Sequence, residues 1–287
     1  MQLNQQISLG ERSIGAILID AGRISSLEAE KILSEQKQHN LRFGDAALKL
    51  GMLNQDDIQF ALARQFQYPY LSHGDQSISE EVVAAFSPFS STVEQLRALR
   101  TQLMLRWFDA EAHRKSLAIV SAQRGEGRSY IAANLAVIFS QLGERTLLID
   151  ADLRNPRQHQ LFKLSNSVGL STVLAGRASA NEAAVKIKKL LDLSVLPSGA
   201  IPPNPQELLS RDAFSVMLSE FSTTYDVIIV DTPDAGASAD AQTISSRVGS
   251  SLVIASKNRT SVADFQSLAI SLQNSNVTIV GSLLNDF

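Results

Sequence analysis

The sequence has no cysteine among its 287 residues. This absence excludes disulfide bonds, thiolate nucleophiles and cysteine-ligated metal sites. The four histidines are scattered and lack the spacing of a zinc site. No apolar run approaches the ~20 residues that cross a membrane, and the N-terminal residues do not form a secretory signal. We therefore expect a cytoplasmic protein.

An excess of positive charge is also absent. The formal net charge is −3 and the pI is about 5.8, so the sequence lacks a basic footprint and predicts no nucleic-acid partner. The length predicts two domains.

The strongest motif is a phosphate-binding loop. The segment 121–130 follows an apolar run, 117–120, that suits a buried strand, and it opens into an apolar stretch with helical spacing. This order of strand, loop and helix is the context that the motif requires. Gly125 and Gly127 allow backbone N–H groups to turn toward phosphate oxygens, and the start of the helix adds partial positive charge. Ser129 is predicted to bind Mg²⁺ through its hydroxyl.

The loop departs from its consensus at two positions. Arg128 replaces the usual lysine, and Ala122 replaces the first glycine. An arginine keeps the charge and binds phosphate with its planar fork, but it cannot reproduce a compact ammonium. We expect Arg128 to neutralise the β- and γ-phosphates, with ATP binding preserved better than turnover.

Carboxylates follow two further predicted strands. The strand that starts at Thr146 ends in Asp150 and Asp152, and the strand that starts at Asp226 ends in Asp231. Ligands of parallel sheets gather beyond the carboxyl ends of the strands, so all three carboxylates are expected on the phosphate side. A single aspartate after a strand is also common as the cap of a following helix or turn, which is the alternative for each of them alone. Together with the loop, they favour an ATP site in which Ser129 and Asp231 hold Mg²⁺ directly or through water.

The N-terminal part contains an internal repeat over residues 12–66. Five residues of the first copy recur 29 positions later: Gly15, Gly22, Ile24, Leu33 and Gln36 recur as Gly44, Gly51, Leu53, Leu62 and Gln65. Each copy predicts a short helix closed by a glycine, a capping residue and a longer helix, with Ser25 and Asn54 as the caps. The repeat predicts a helical domain at residues 1–74.

Serine, glycine and proline accumulate after this domain and predict a linker at residues 75–91, followed by the phosphate-loop domain at 92–287. A helix is predicted from Thr92 to Phe108. Its charged residues Glu94, Arg97 and Arg100 are spaced by three, which is usually typical of a solvated face.

The repeat resembles the N-terminal domain of type II secretion and pilus assembly ATPases, which in that family can bind cyclic di-GMP. Each family copy begins with arginine, a hydrophobic residue and glycine. The second copy keeps this pattern at Arg42, whereas the first has Ser13 at that place and Arg12 one place early, and Ala47 stands where the first copy has Leu18. The resemblance implies cyclic di-GMP binding at Arg42. A helical docking or packing module without nucleotide is the alternative.

Residues 91–287 resemble the bacterial tyrosine kinases of polysaccharide assembly. The shared motifs are Gly125-Glu126-Gly127, the loop 150–156, Gly169-Leu170-Ser171, the segments 196–199 and 202–209, and the closing Leu284-Asn285. With the helical repeat, the chain is most similar to exopolysaccharide chain-length-determinant tyrosine kinases of the EpsG type. This resemblance implies an α/β fold of the P-loop NTPase class, with a doubly wound, mostly parallel sheet preceded by a small helical repeat domain.

The kinase resemblance also implies roles for single residues. Asp150 is expected to orient or deprotonate the incoming tyrosine hydroxyl, with Asp152 supporting the metal. The residues implied in nucleotide binding are Gly125, Glu126, Gly127, Arg128, Ser129, Tyr130 and, at the adenine, Asn285.

The same resemblance implies partners and a place in the cell. A ring of copies would assemble through Glu94, Arg97 and Arg100. A transmembrane polysaccharide chain-length regulator would hold the protein at the inner membrane and activate it.

The tyrosine cluster that often ends the family kinases is missing, because the last tyrosine is Tyr225. Tyr68, Tyr70, Tyr130 and Tyr225 are each expected to be structural. Two alternatives to an active kinase therefore stay open. One is a nearly inactive ATP-binding regulator that responds to cyclic di-GMP. The other is a partition ATPase, although Gln123 occupies the place of the additional lysine of that class.

Overall fold

The structure is a computed structural model that describes residues 13–65, 69–71, 74–109, 112 and 114–286. The chain divides into two units, Met1–Ser72 and His73–Phe287. Arg12 and Tyr68 lie outside the described residues. None of the helices formed by the described residues is long and apolar enough to cross a membrane.

In the first unit, the described residues form the two predicted helix pairs. Its helices are α1 (Ile14–Asp20), α2 (Ser26–His39), α3 (Phe43–Lys49) and α4 (Gln55–Gln65). Ser25 caps α2 in a reciprocal arrangement with Glu28. Asn54 and Asp57 bind each other's backbone N–H groups in the same way at the start of α4.

The two copies pack crosswise, since α1 contacts α4 and α2 contacts α3. Leu18 and its counterpart Ala47 are both fully buried in the apolar core of this unit. Arg42 immediately precedes α3 at its N-cap and makes no side-chain cap there.

The second unit is an α/β structure. Its helices are α5 (Val83–Phe86), α6 (Ser91–Arg106), α7 (Arg128–Gln141), α8 (Gln158–Leu161), α9 (Leu170–Leu174), α10 (Ala180–Ala183), α11 (Pro205–Leu209), α12 (Asp212–Thr224), α13 (Asp240–Val248) and α14 (Val262–Asn274). Its strands are β1 (Ser116–Ser121), β2 (Thr146–Asp150), β3 (Val185–Lys186), β4 (Leu193–Leu196), β5 (Val227–Asp231), β6 (Ser250–Ser256) and β7 (Thr278–Asn285).

The seven strands form one sheet in the order β3-β4-β2-β5-β1-β6-β7. Only β3 runs antiparallel to its neighbour, β4. The central strands are continuous apolar runs because both faces of the sheet are covered. The helix α7 packs on β1, β2 and β5, while α13 packs on β1 and β6. The predicted fold class, a P-loop NTPase with a mostly parallel sheet, is confirmed.

The segment 75–91 is not the linker that its serines and its single proline, Pro88, predict. It belongs to the second unit, and Ala84, Ala85 and Phe86 in α5 are buried. The side chain of Asn134 in α7 accepts a hydrogen bond from the N–H of Ala84 (2.9 Å) and donates one to the carbonyl of Glu81 (3.1 Å). The apolar residues within this segment fix it to α7 because they bury surface there.

Candidate active site

The phosphate-binding loop connects β1 to α7. Gly125 and Gly127 have φ angles of 81° and 97°, a region that glycine adopts without strain. The N-terminus of α7 begins at Arg128, so unpaired backbone N–H groups and the positive end of the helix dipole meet at the loop. The local structure is therefore that of an anion site.

Side chains from distant parts of the chain hold this loop in place. The buried carboxylate of Glu126 accepts hydrogen bonds from the Gln123 N–H (2.8 Å) and from the Thr260 hydroxyl. Asn285 donates from its amide to the Glu126 carbonyl (3.0 Å). Arg259 donates from Nη1 to the Gly125 carbonyl (3.0 Å). Glu126 and Asn285, expected as nucleotide ligands, thus support the loop through these side-chain contacts.

Arg128 lies beneath the loop. Its side chain is buried, and Nε donates to the Thr232 carbonyl (2.9 Å) at the end of β5. Nη1 donates to the Gln123 carbonyl (2.9 Å) and to the Ser121 hydroxyl. Arg128, which the sequence analysis assigns to the phosphates, therefore connects β1, the loop and β5. Part of Arg128 also lines the cavity above the loop.

Asp231 is fully buried at the end of β5, and its side chain lies within hydrogen-bonding reach of the Ser129 side chain. Its Oδ2 accepts a hydrogen bond from Gln158 Nε2 (2.7 Å), which also donates to the Ser129 carbonyl (3.1 Å). Its Oδ1 has no hydrogen-bond partner in the described part of the chain. Burial raises the pKa of Asp231 to about 6, against the opposing effects of Gln158, Arg128 and Ser129.

The unpartnered oxygen fits a magnesium site. No cluster of three or more acidic or histidine side chains that could hold a metal occurs among the described residues. Mg²⁺ beside a nucleotide usually takes one or two protein ligands together with phosphate oxygens and water. The Ser129 hydroxyl and the carboxylate of Asp231 provide that donor set, and an ion would satisfy the buried oxygen.

Asp150 and Asp152 have different environments. Asp150 pairs in register with Asp231 and is fully buried, and its oxygens accept the backbone N–H groups of Asp152 (3.3 Å), Arg157 (3.0 Å) and Gln158 (2.9 Å). Burial, and next the charge of Asp231, raise the pKa of Asp150 well above its usual value. Asp150 therefore shapes the loop that follows β2.

Asp152 faces the phosphate space. Its Oδ1 accepts N–H groups from Arg154 (3.1 Å) and Asn155 (2.8 Å), and it lines a cavity of about 270 Å³ above the loop. The predicted residues in this wall are Gly125, Gly127, Arg128, Ser129 and Asp152. The others were not predicted from sequence: Arg124, Asn155, Arg157 and Asp234.

The missed residues had weak signals in the sequence. Arg124 lies within the loop motif, and Asp234 follows the β5 strand by three positions. Arg157 and Gln158 carry no signal of their own, because they reach the site only through the path of the chain after Asp152.

Tyr130, the remaining predicted residue, does not line this cavity. It is half-buried on α7, where burial and then the charge of Glu81 raise its pKa. Arg154, two positions after Asp152, forms an ion pair with the buried Asp240 (2.7 Å).

The three charged residues that are predicted to mediate assembly all lie on α6. Glu94 and Arg97 form an ion pair (3.0 Å), and Arg100 donates to the Ile138 carbonyl (3.4 Å). Their role in assembly stays a prediction.

Comparison with known proteins identifies the family. Residues 114–263 match the model of a family described as an AAA domain. The chain is 39% identical over 208 residues to the tyrosine-protein kinase YwqD of Bacillus subtilis strain 168, covering 72% of this chain and 86% of the relative. It is similar to the solved kinase domain of Escherichia coli tyrosine kinase ETK, with 34% identity, a TM-score of 0.68, and coverage of 71% of this chain and 79% of that chain.

A cell division ATPase is also similar, at lower identity and coverage. The cell division ATPase MinD of Pyrococcus furiosus gives 25% identity, a TM-score of 0.52, and coverage of 59% of this chain and 71% of that chain. The fold implies ATP and Mg²⁺ as ligands of the phosphate loop. The match to residues 114–263 gives no support to cyclic di-GMP at Arg42. The tyrosine kinases match this chain with higher identity and coverage than MinD does. The chain belongs to the family of bacterial tyrosine-protein kinases.

Proposed function

We propose that this chain transfers the γ-phosphoryl group of ATP to tyrosine hydroxyls and thereby regulates the chain length and export of an exopolysaccharide. The observation that carries the proposal is the cavity above the phosphate loop. Its wall contains Ser129 and Asp152, and the unpartnered oxygen of Asp231 lies buried at the adjacent strand end. Phosphoryl transfer requires mainly positioning and charge neutralisation, which such a wall supplies.

Positive charge on the phosphates would come from more than one arginine. Arg128 has committed Nε and Nη1 to backbone and hydroxyl oxygens beneath the loop. Arg124 and Arg157 line the same cavity from its other sides. We assign the neutralisation of the β- and γ-phosphates chiefly to Arg124 and Arg157, with Arg128 holding the loop in its binding shape.

Ser129 and Asp231 would hold Mg²⁺, with Asp152 at the side of the γ-phosphate. When bound, the ion supplies charge stabilisation to the phosphate oxygens. Of the two carboxylates after β2, Asp152 is better placed to orient the tyrosine hydroxyl, because it lines the cavity. Asp150 acts as a positioning residue, since three backbone N–H groups occupy its oxygens.

Phosphotransfer by the purified full chain tests this assignment. Wild type with Mg-ATP should yield phosphotyrosine by mass spectrometry. Asp152→Asn should bind ATP and lose transfer at least tenfold in rate, whereas Arg128→Lys should keep transfer. Intact ATP binding without any phosphotyrosine would instead favour the regulator without kinase activity.

The proposed partner is a transmembrane polysaccharide chain-length regulator that holds the kinase at the inner membrane. The proposed assembly is a ring of copies that contact one another through Glu94, Arg97 and Arg100. The kinase resemblance supports both. Sedimentation of wild type and Arg97→Glu, with and without the cytosolic segment of the regulator, tests them.

For the helical unit, the hypothesis of cyclic di-GMP binding at Arg42 rests on the resemblance of the repeat. Calorimetric titration of wild type and Arg42→Gln tests it, because loss of a phosphate-binding arginine should abolish the heat of binding.

A further inference from the structure

A second, larger cavity adjoins the phosphate cavity. Its volume is about 520 Å³, and the two share Arg124, Asn155 and Arg157 as lining residues. The second cavity therefore opens directly beside the place where the γ-phosphate is expected. We call it the acceptor groove.

Three arginines line the acceptor groove. They are Arg124, Arg154 and Arg157, and among the described residues no aspartate or glutamate belongs to the same lining. Arg154 uses Nε and Nη2 for Asp240, and Arg157 uses Nη2 for Glu81. Both arginines keep further N–H donors beyond these bonds. Both side chains remain partly exposed, at 38% and 43%.

An apolar surface lies at the same groove. Ile201 is 65% exposed and lines it together with Pro156. An exposed isoleucine beside a proline offers a surface for an aromatic ring, while the guanidinium groups offer donors for carboxylates. The combination matches a peptide that carries a tyrosine next to acidic residues.

The chain's own tyrosines do not have this pattern. Tyr70 and Tyr130 have no acidic neighbour in the sequence. Tyr225 is followed by Asp226, but that carboxylate is paired with Arg145 and the Tyr225 ring packs on Phe221 at 5.7 Å. None of these three tyrosines therefore suits the groove.

We infer that this groove binds the acceptor substrate, a tyrosine flanked by aspartate or glutamate in a different protein. The inference rests on the proposed kinase function and specifies its substrate class. The acidic flanks bind Arg154, the arginine of the groove that does not line the phosphate cavity, and the tyrosine hydroxyl is directed toward the shared wall of the two cavities. In the transfer, the hydroxyl oxygen forms a bond to the γ-phosphorus, the bond to the β-bridging oxygen breaks, and the hydroxyl proton passes to a carboxylate or to water.

The test compares two peptides that differ only in charge, one with glutamates and one with glutamines around a single tyrosine. With the full chain and Mg-ATP, we expect kcat/KM at least fivefold higher for the glutamate peptide. High salt should reduce this preference, because exposed charges are screened. Equal rates for both peptides would overturn the inference and leave the kinase function standing.

Gln160 provides a matched variant. It lines the acceptor groove but not the phosphate cavity, and it is exposed. Gln160→Glu adds one negative charge with little change of shape and should lower the glutamate peptide's kcat/KM about two- to fivefold. The glutamine peptide should be affected less than the glutamate peptide. Gln273→Glu, on the exposed surface of α14, is the control and should change neither peptide.

Binding without turnover separates the two proposals. A glutamate peptide with phenylalanine in place of tyrosine should bind wild type more tightly than Gln160→Glu by fluorescence anisotropy. Labelling confined to the chain's own tyrosines would overturn the inference in favour of a second copy as acceptor. Absence of all phosphotransfer would refute the proposed function, and the anisotropy would then report on the groove alone.

Discussion

Replacement of Arg128 by lysine separates an anchoring role from a phosphate-binding role. In the structure, the guanidinium group spans two strand ends, with Nε on the Thr232 carbonyl and Nη1 on the Gln123 carbonyl and the Ser121 hydroxyl. A lysine has one nitrogen and cannot occupy both places. We therefore expect Arg128→Lys to destabilise the protein in the absence of nucleotide.

The magnitude follows from the contacts. A hydrogen bond from a charged donor contributes about 1.5–3 kcal/mol, and a buried acceptor left without a partner costs about 1–3 kcal/mol. In Arg128→Lys the Thr232 carbonyl loses its hydrogen bond, while the lysine ammonium can still bind some of the other oxygens. We therefore expect the free energy of unfolding to fall by about 2 kcal/mol. With an m-value of about 2–3 kcal/mol/M in urea, the unfolding midpoint should fall by about 0.7–1 M.

The single tryptophan makes this measurement specific to the second unit. Trp107 follows α6, and its Nε1 donates to the Ser116 carbonyl (3.0 Å) at the start of β1. Its fluorescence should therefore report the unfolding of the unit that holds the loop. Arg124→Lys is the control, because no side-chain hydrogen bond of Arg124 is found among the described residues, and its midpoint should stay within about 0.2 M. A midpoint for Arg128→Lys equal to that of the control would refute the anchoring role.

Three further variants test other contacts. Asn134→Ala leaves the Ala84 N–H and the Glu81 carbonyl without their side-chain partner. The free energy of unfolding should therefore fall by about 2–3 kcal/mol, and limited proteolysis should cleave residues 75–91 more readily. Unchanged cleavage would contradict the packing of this segment on α7. Thr260→Val removes the hydroxyl that donates a hydrogen bond to Glu126. The phosphate loop should become less rigid, and ATP affinity should fall about three- to tenfold in a fluorescent-nucleotide titration. Unchanged affinity would show that Thr260 does not stabilise the loop. Arg145 lowers the pKa of Asp226, and a lowered folded-state pKa stabilises the protein above the unfolded pKa of about 3.9. Asp226→Asn should therefore be less stable than wild type at pH 7, with the difference disappearing as the pH falls below about 4.

The sequence predicts the position of the site well because topology decides it. Parallel strands place their carboxyl ends at one edge, so Ser129, Asp152 and Asp231 were expected to meet there and do so. The contributions of Thr260 and Arg259 to the loop were not predictable in this way. They approach it from more than 130 positions away, and their hydrogen bonds depend on where the end of β6 lies in the folded sheet.

The directions of side chains are harder to predict than their positions. Asp150 and Asp152 are separated by one residue, yet one binds backbone N–H groups inside the protein and the other faces the cavity. The difference arises from the turn of the chain after β2, which brings the N–H groups of Arg157 and Gln158 to Asp150. The packing of segment 75–91 was detectable in the sequence, since the apolar residues of α5 interrupt its serines ahead of its single proline, Pro88.

The geometry also explains why an arginine is compatible with position 128. Its planar fork contacts both β5 and the start of the loop, a distance that one ammonium cannot bridge. These contacts hold much of the guanidinium group below the loop. Arg124, within the loop, and Arg157, after β2, border the same cavity, and in the proposed assignment they supply positive charge to the phosphates. Under that assignment, arginine in place of lysine at position 128 does not by itself predict an inactive kinase.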